Sequence, residues 1–199
     1  MPIEHGGTVA VSVDQSNATA EGHIAGRDVY NITNNLGERS APRAAGIVEQ
    51  LLQRLDEELK NDQKAQNTIE KLQRYHRNKA LDGVVGLEAK LKYAGREANY
   101  YDAIEMKEMF VKLLHQWSLY ASAQQIFVYL LARAERNFND IILPQIPALG
   151  VAQVNSLVNE LIVEPTVSEC GASVFEIDHN TALGMVYWLA EQCFVRWHK

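Results

Sequence analysis

Six histidines, two cysteines and one dense run of charged residues are the side chains here that could do chemistry. His5, His23, His76, His115, His179 and His198 stand far apart. None falls at zinc-ligand spacing with Cys170 or Cys193. A fold could bring Cys170 and His179 to Cys193 and His198, but scattered His with one Cys pair are more often packing and surface residues. No metal site is expected. Gly83, Gly86 and Gly95 lie in a helical stretch without the Lys-Ser/Thr of a nucleotide loop, and there is no nucleophile elbow. These glycines read as helix ends and close packing. No catalytic residue is assigned, no cofactor is expected, and the chain is expected not to be an enzyme.

The charged run is Glu88, Lys90, Lys92, Arg96 and Glu97. Glu88 and Lys92 have i,i+4 helical spacing, worth only ~0.3 kcal/mol as a pair. A solvated helix face explains them better than an active site. Trp117, Trp188 and Trp197, with eight tyrosines, could suggest base stacking. Stacking sites need a basic groove around the aromatics, and these aromatics lie on apolar faces of an acidic region, so core packing is expected.

Composition narrows the classes further. The chain has 199 residues, 47% of them hydrophobic, with a net charge of −6. Residues 43–80 hold eight Lys/Arg against six Asp/Glu, whereas residues 81–199 hold nine against fourteen. The main body is acidic, so nucleic acid is expected to be met only indirectly, through a partner. No apolar run reaches the ~20 residues of a membrane span. Residues Met1 to Gly7 lack the basic start and apolar stretch of a signal peptide. A cytoplasmic protein with reduced thiols is expected, and the sequons at Asn17 and Asn31 then carry no meaning.

The elements that must position these residues are of two kinds. In residues 1–36, Val9, Val11 and Val13 alternate with polar neighbours at strand period. Gly22 and Gly26 punctuate the middle of the segment, and Val29 to Thr33 reads as a second short strand. So few large apolar residues make no core, and two strands alone are marginal in water. The segment should be stable by stacking on copies of itself through Val9, Val11, Val13, Ile24, Val29, Tyr30 and Ile32. A disordered tail is the alternative.

Residues 43–80 read as an amphipathic helical connector, with Ser40 as helix cap and Pro42 in the first turn. Ile47, Leu51, Leu55 and Leu59 recur at steps of four, with Val48 and Leu52 beside them. Residues 62–79 are polar apart from Ile69, Leu72 and Tyr75, and read as a thinly buried helix or an exposed arm.

Residues 81–199 read as a helical domain. Leu87, Leu91 and Ala94 share a face that Gly95 ends. Ala103, Met106, Phe110, Leu113, Leu114 and Trp117 mark a second helix. Ala123, Ile126, Phe127, Leu130, Leu131 and Ala134 mark a third, ended by Pro144 and Pro147. A short helix from Val154 to Ile162 should stop before Pro165, and residues 166–178 read as irregular, extended at Val174 to Ile177. Asn180 can cap a last helix at 181–191. An apolar helix running into Phe194, Val195 and Trp197 should bury that end. The fold class is therefore mostly α, a helical bundle-like domain with a short N-terminal β-type segment.

An ordered series of residues adds to this reading. It runs from Gly86-Leu87-Glu88-Ala89-Lys90-Leu91-Lys92-Tyr93-Ala94-Gly95-Arg96 through Ala103, Lys107 and Phe110, then Ser122-Ala123-Gln124-Gln125-Ile126. It continues with Phe138, Ile141 and Pro144, and finishes at Gly184 to Leu189 and Arg196-Trp197. The series resembles the C-terminal domain family of bacterial ABC-three-component conflict systems. Gly22-His23-Ile24-Ala25-Gly26-Arg27-Asp28-Val29-Tyr30-Asn31 is similar to leaders found ahead of helical or effector domains in such proteins.

The resemblance implies a subunit that connects to a middle component and an ABC/SMC-like ATPase sensing invading or abnormal DNA. With no room for an effector domain, it implies a non-enzymatic antiviral adaptor or homo-oligomerising subunit. Phe194 follows Cys193 where relatives often carry His, which weakens any metal or polar role there. Lys90, Lys92 and Arg96 cannot all be buried, so Gly86 to Arg96 is the exposed docking candidate, with Phe194 and Trp197 as further partner-binding candidates. The rivals are a small hydrolase or nuclease with an unrecognised site and a stand-alone self-assembling structural protein.

Overall fold

α1, Ile47–Lys60, opens the part of the chain that the computed structural model describes, residues 46–77 and 83–197. These residues fall within one compact unit, Ala44–Lys199, and no strand occurs among them. The β-type segment with Val9, Val11, Val13, Ile24, Val29, Tyr30 and Ile32 lies outside the described residues, as do Ser40 and Pro42. α1 itself starts behind Gly46, whose backbone is extended (φ −60°, ψ 159°) and has no side chain to cap with. Ser40 is therefore not its cap.

α1 buries Val48, Leu51 and Leu55 against α5, Ala121–Asn137. Glu58 of α1 returns the contact at the α5 N-terminus, where it accepts from Ser122 N at 3.2 Å and Ser122 Oγ at 2.7 Å. The polar stretch after α1 is tied down by one buried glutamine. Gln124 Oε1 accepts from Ile69 N at 2.6 Å, and its Nε2 donates to Ser118 O at 2.7 Å and Asn67 O at 3.3 Å. A buried amide must find such partners, and finding them in this stretch docks it. α2, Glu70–Gln73, and the 3₁₀ turn Arg74–His76 then bury Leu72 and Tyr75.

α3, Leu87–Tyr93, leads through the 3₁₀ turn Glu97–Asn99 into α4, Tyr100–Trp117. α4 lays Ala103, Phe110 and Leu114 on the core. After α5 the chain passes through a π-helical turn, Phe138–Ile142, before Pro144 and Pro147 force a 3₁₀ segment, Leu143–Ala148. α6, Val151–Val158, runs into a second π turn, Asn159–Val163, and directly on into α7, Glu164–Cys170.

Pro165 thus stands in the first turn of α7 and does not end the helical path. A proline removes one donor and crowds the carbonyl four residues back. That carbonyl, on Leu161, accepts from Asn137 Nδ2 at 2.9 Å instead. The irregular segment is shorter than the sequence suggests. It spans residues 171–178 as turns, not an extended strand, with Glu176 in the left-handed region (φ 49°) and Phe175 and Ile177 buried.

α8, His179–Glu191, is the axis of the fold. Thr181, Ala182 and every residue from Gly184 to Ala190 are buried, as a helix apolar on all sides requires. Its cap is Asp178, whose Oδ1 accepts from Thr181 N at 2.7 Å; Asn180 already lies inside the helix and is not the cap. α8 presses on α4 so closely that a Cβ at Gly184 would lie 2.0 Å from Met106 O. Only glycine permits that approach.

Candidate functional site

The last residues fold back onto the body, and the reason is the way α8 stops. Cys193 adopts a left-handed backbone (φ 63°). Phe194 N donates to Leu189 O at 2.9 Å and Cys193 N to Ala190 O at 3.0 Å. This pair of bonds is the Schellman arrangement, which reverses a chain and closes its last carbonyls. It sends Phe194 inward, 5% exposed, with its ring 4.7 Å from Tyr75. Asn139 Nδ2 donates to Phe194 O at 3.0 Å. Tyr75 and Arg74 both bond Glu135, at 2.9 and 2.8 Å, which holds the wall Phe194 packs on. Phe194 and Trp197 are both buried, as the apolar ending of the sequence predicts.

α3 stops in the same way on Gly95 (φ 66°), with Arg96 N donating to Leu91 O at 2.7 Å and Gly95 N to Lys92 O at 3.0 Å. The turn aims Arg96 at the tail. Its guanidinium lies 4.5 Å over the Trp197 ring, while Phe138 meets that ring at 4.9 Å, 87° edge to face. Arg96 Nη1 donates to Asn155 Oδ1 of α6 at 2.7 Å. Burial holds the Arg96 pKa below its ordinary value, partly offset by the Tyr187 hydroxyl; a guanidinium stays charged all the same.

Arg96 and Trp197 sit on the wall of a cavity of about 470 Å³ bounded by the α3–α4 turn, α6, the second π turn and α8. Asn99, Asp102, Asn155, Asn159, His179 and Asn180 give it polar walls, and Met106, Leu183 and Tyr187 give it an apolar floor. That size and mix suit a ligand or peptide site. Sequence reasoning picked out Arg96 and Trp197 separately. It missed the asparagines, which come from four elements and carry no common spacing.

The other candidates separate. Lys90, expected on the surface, is wholly buried. Its Nζ donates to Ala190 O, at the negative end of the α8 dipole, where a cation is favoured. Lys107 supports the same end, 3.0 Å from Glu191 and 3.3 Å from Glu108. Burial pulls the Lys107 pKa down, but the bonds and charge from Glu191 and Glu108 outweigh it and leave it raised. Of the three cations in the run, only Lys92 is exposed; it borders a shallow depression with Glu88 and Glu191. Two of the three cations in Gly86 to Arg96 are therefore drawn under α8 and the tail, while Glu88, Ala89, Lys92, Tyr93 and Gly95 stay exposed.

Cys170 is buried, and burial first, then the Glu169 charge, pushes its thiol up to about 12. It packs as a small apolar residue. Among the described residues no group of three or more His, Cys, Asp or Glu could hold a metal ion, and no helix is long and apolar enough to cross a membrane.

No curated protein and no solved structure matches the chain. Residues 86–197 match the family described as C-terminal domain 9 of the ABC-three component (ABC-3C) systems, from the glycine ahead of α3 to the tryptophan under Arg96. The match covers more than half of the 199 residues, and the chain therefore belongs to that family of ABC-3C system domains.

Proposed function

We propose that the chain is a non-enzymatic adaptor of an antiviral ABC-3C system, working in the cytoplasm. It docks on the middle component or on the ABC/SMC-like ATPase and meets nucleic acid only through that partner. The observation that carries this reading is where the two ends of the family match converge. Arg96, near its start, and Trp197, at its end, stack on each other on the wall of a polar-lined cavity. Arg and Trp are the residue types that most often anchor protein interfaces. Lys92, with Tyr93 67% and Tyr101 84% exposed, offers further surface along α3 and the start of α4. The body's excess of acid over base supports contact with protein in preference to nucleic acid.

Co-purification tests this directly. The full chain, expressed with its system's ATPase and middle component, should leave a sizing column with at least one of them. Separate elution of all three components at micromolar concentration would overturn docking. Incubation with DNA and nucleotides should give no turnover, whereas turnover that survives further purification would favour an enzyme.

Residues 1–36 are proposed to assemble copies of the chain through Val9, Val11, Val13, Ile24, Val29, Tyr30 and Ile32, because unpaired strand edges invite pairing. Light scattering should give a larger assembly for the full chain than for a version starting at Ser40. Equal oligomeric states would remove that part of the proposal.

A further inference from the structure

Arg96 is about nine-tenths buried, yet among the described residues no carboxylate lies within ion-pair distance of it. Other cations set into the body end on a partner inside it, Lys90 on the Ala190 carbonyl at the end of α8 and two more on carboxylates. Arg133 meets Glu169 at 2.6 Å and Lys107 meets Glu191 at 3.0 Å. A buried charge without a counter-charge is costly, and the Arg96 guanidinium donates to Asn155 through Nη1 alone. Its central carbon lies 4.5 Å over the Trp197 ring, a contact that uses the face of the guanidinium and not its N–H edge. A planar fork of that kind pairs bidentately with a carboxylate.

The walls say what carries the anion. Asn99, Asn159 and Asn180 join Asn155 around the cavity. Asn155 Oδ1 is held by Arg96, and Asn159 Nδ2 already donates to Glu164 at 3.1 Å. Asn99 and Asn180 are therefore the amides with both groups to offer. Each primary amide offers a donor and an acceptor side by side. A peptide backbone presents the complementary pair at every residue, whereas a bare anion would use only the donors. Asp102 on the same wall opposes any anion, and a doubly charged phosphate about twice as much as a singly charged carboxylate.

We propose that this groove binds an extended acidic peptide segment of a partner component, with an Asp or Glu carboxylate against Arg96 and the peptide backbone against Asn99 and Asn180. The inference rests on the docking reading above and names the chemistry of what docks.

The test is a set of short immobilised peptides tiled across the middle component and the ATPase. Each acidic peptide is also made with the acid replaced by its amide and by phosphoserine. Full-length chain should bind peptides that share an acidic position, and amidation there should weaken binding roughly tenfold or more, as loss of a charge-assisted bidentate pair does. Binding indifferent to amidation, or strengthened by phosphoserine, would overturn the assignment. Arg96→Gln should remove the selectivity for acid. Because that variant could misfold, Asn99→Ala and Asn180→Ala, both at exposed positions, serve beside it. Each should weaken binding roughly threefold or more while melting is unchanged, and unchanged binding in both would overturn the backbone contacts. Co-purification without any bound peptide would retain docking and reject the groove. Peptide binding without co-purification would do the reverse.

Discussion

α3 and α8 end in the same backbone device, with opposite results. At α3 the left-handed residue is Gly95 and the residue after it, Arg96, is delivered to a cavity wall. At α8 the left-handed residue is Cys193 and the residue after it, Phe194, is delivered to the core against Tyr75. One end presents a cation with donors to spare. The other consumes everything near it, including the buried ammonium of Lys90 on Ala190 O. A shared turn geometry is therefore no guide to role. What decides is whether the next side chain finds its partners inside the molecule.

Lys90 should break the α8 end most severely. Lys90→Glu would place a carboxylate against a helix C-terminal carbonyl, and denaturant unfolding should show a loss of about 4 kcal/mol, the scale of an uncompensated buried charge. Lys92→Glu, two residues on and exposed, should change stability by less than ~0.5 kcal/mol. Similar losses in the two variants would mean that Lys90 is not buried under α8.

Trp197→Ala tests the tail that joins the two ends. Removing a ring held between Phe138 and Arg96 should cost about 3 kcal/mol. An unchanged melting temperature would show that the tail does not pack.

The turns themselves give a smaller and signed contrast. At Gly95 an added Cβ meets nothing within 4 Å, so Gly95→Ala isolates the backbone penalty, about 1.5 kcal/mol of destabilisation. Cys193→Gly relieves the same penalty and should raise stability by roughly 0.5–1 kcal/mol. A loss on that substitution would mean the Cys193 side chain contributes more than its backbone costs.

At the start of α8, Asp178→Ala should cost about 1 kcal/mol at neutral pH. The hydrogen bond from Thr181 N is the main cause holding the Asp178 carboxyl below its ordinary value of 3.8. A depressed carboxyl stabilises the fold fully above its unfolded pKa, and that contribution is lost as pH falls through the lower folded value. Thermal melts of wild type and variant should therefore converge toward acid pH. A constant gap would assign the effect to something other than the charged cap.

Much of the fold was legible because apolar spacing reports burial of apolar side chains. Leu87 and Leu91, Phe110 and Leu114, and Ile126 with Leu130 all lie on the core as spaced. Gly95 announced its turn, and the apolar tail announced its own burial. The sequence was silent wherever a polar group settles the matter at long range. Lys90 looks like a surface lysine until α8, 100 residues on, supplies a carbonyl. Pro165 looks like a stop until Asn137 takes over the carbonyl of Leu161. Cys193 gives no hint of a left-handed backbone because nothing in its type requires one. The cavity was invisible for the same reason, since its asparagines come together only after α4, α6 and α8 are packed.

Gly184 has a mechanical consequence for that cavity. With no side chain there, the backbone of α8 lies against the backbone of α4 at Met106, closer than any Cβ would allow. Those two helices supply Asp102, Met106, Leu183 and Tyr187 to the cavity, and they form a fixed jaw. The facing jaw, from Ala152 to Val163, is a short helix run into a π turn, held by Val154, Val158, Ile162 and Val163 in the core and by the bond from Arg96 to Asn155. Because every residue of α8 from Gly184 to Ala190 is buried, the cavity floor it supplies is continuous with the core.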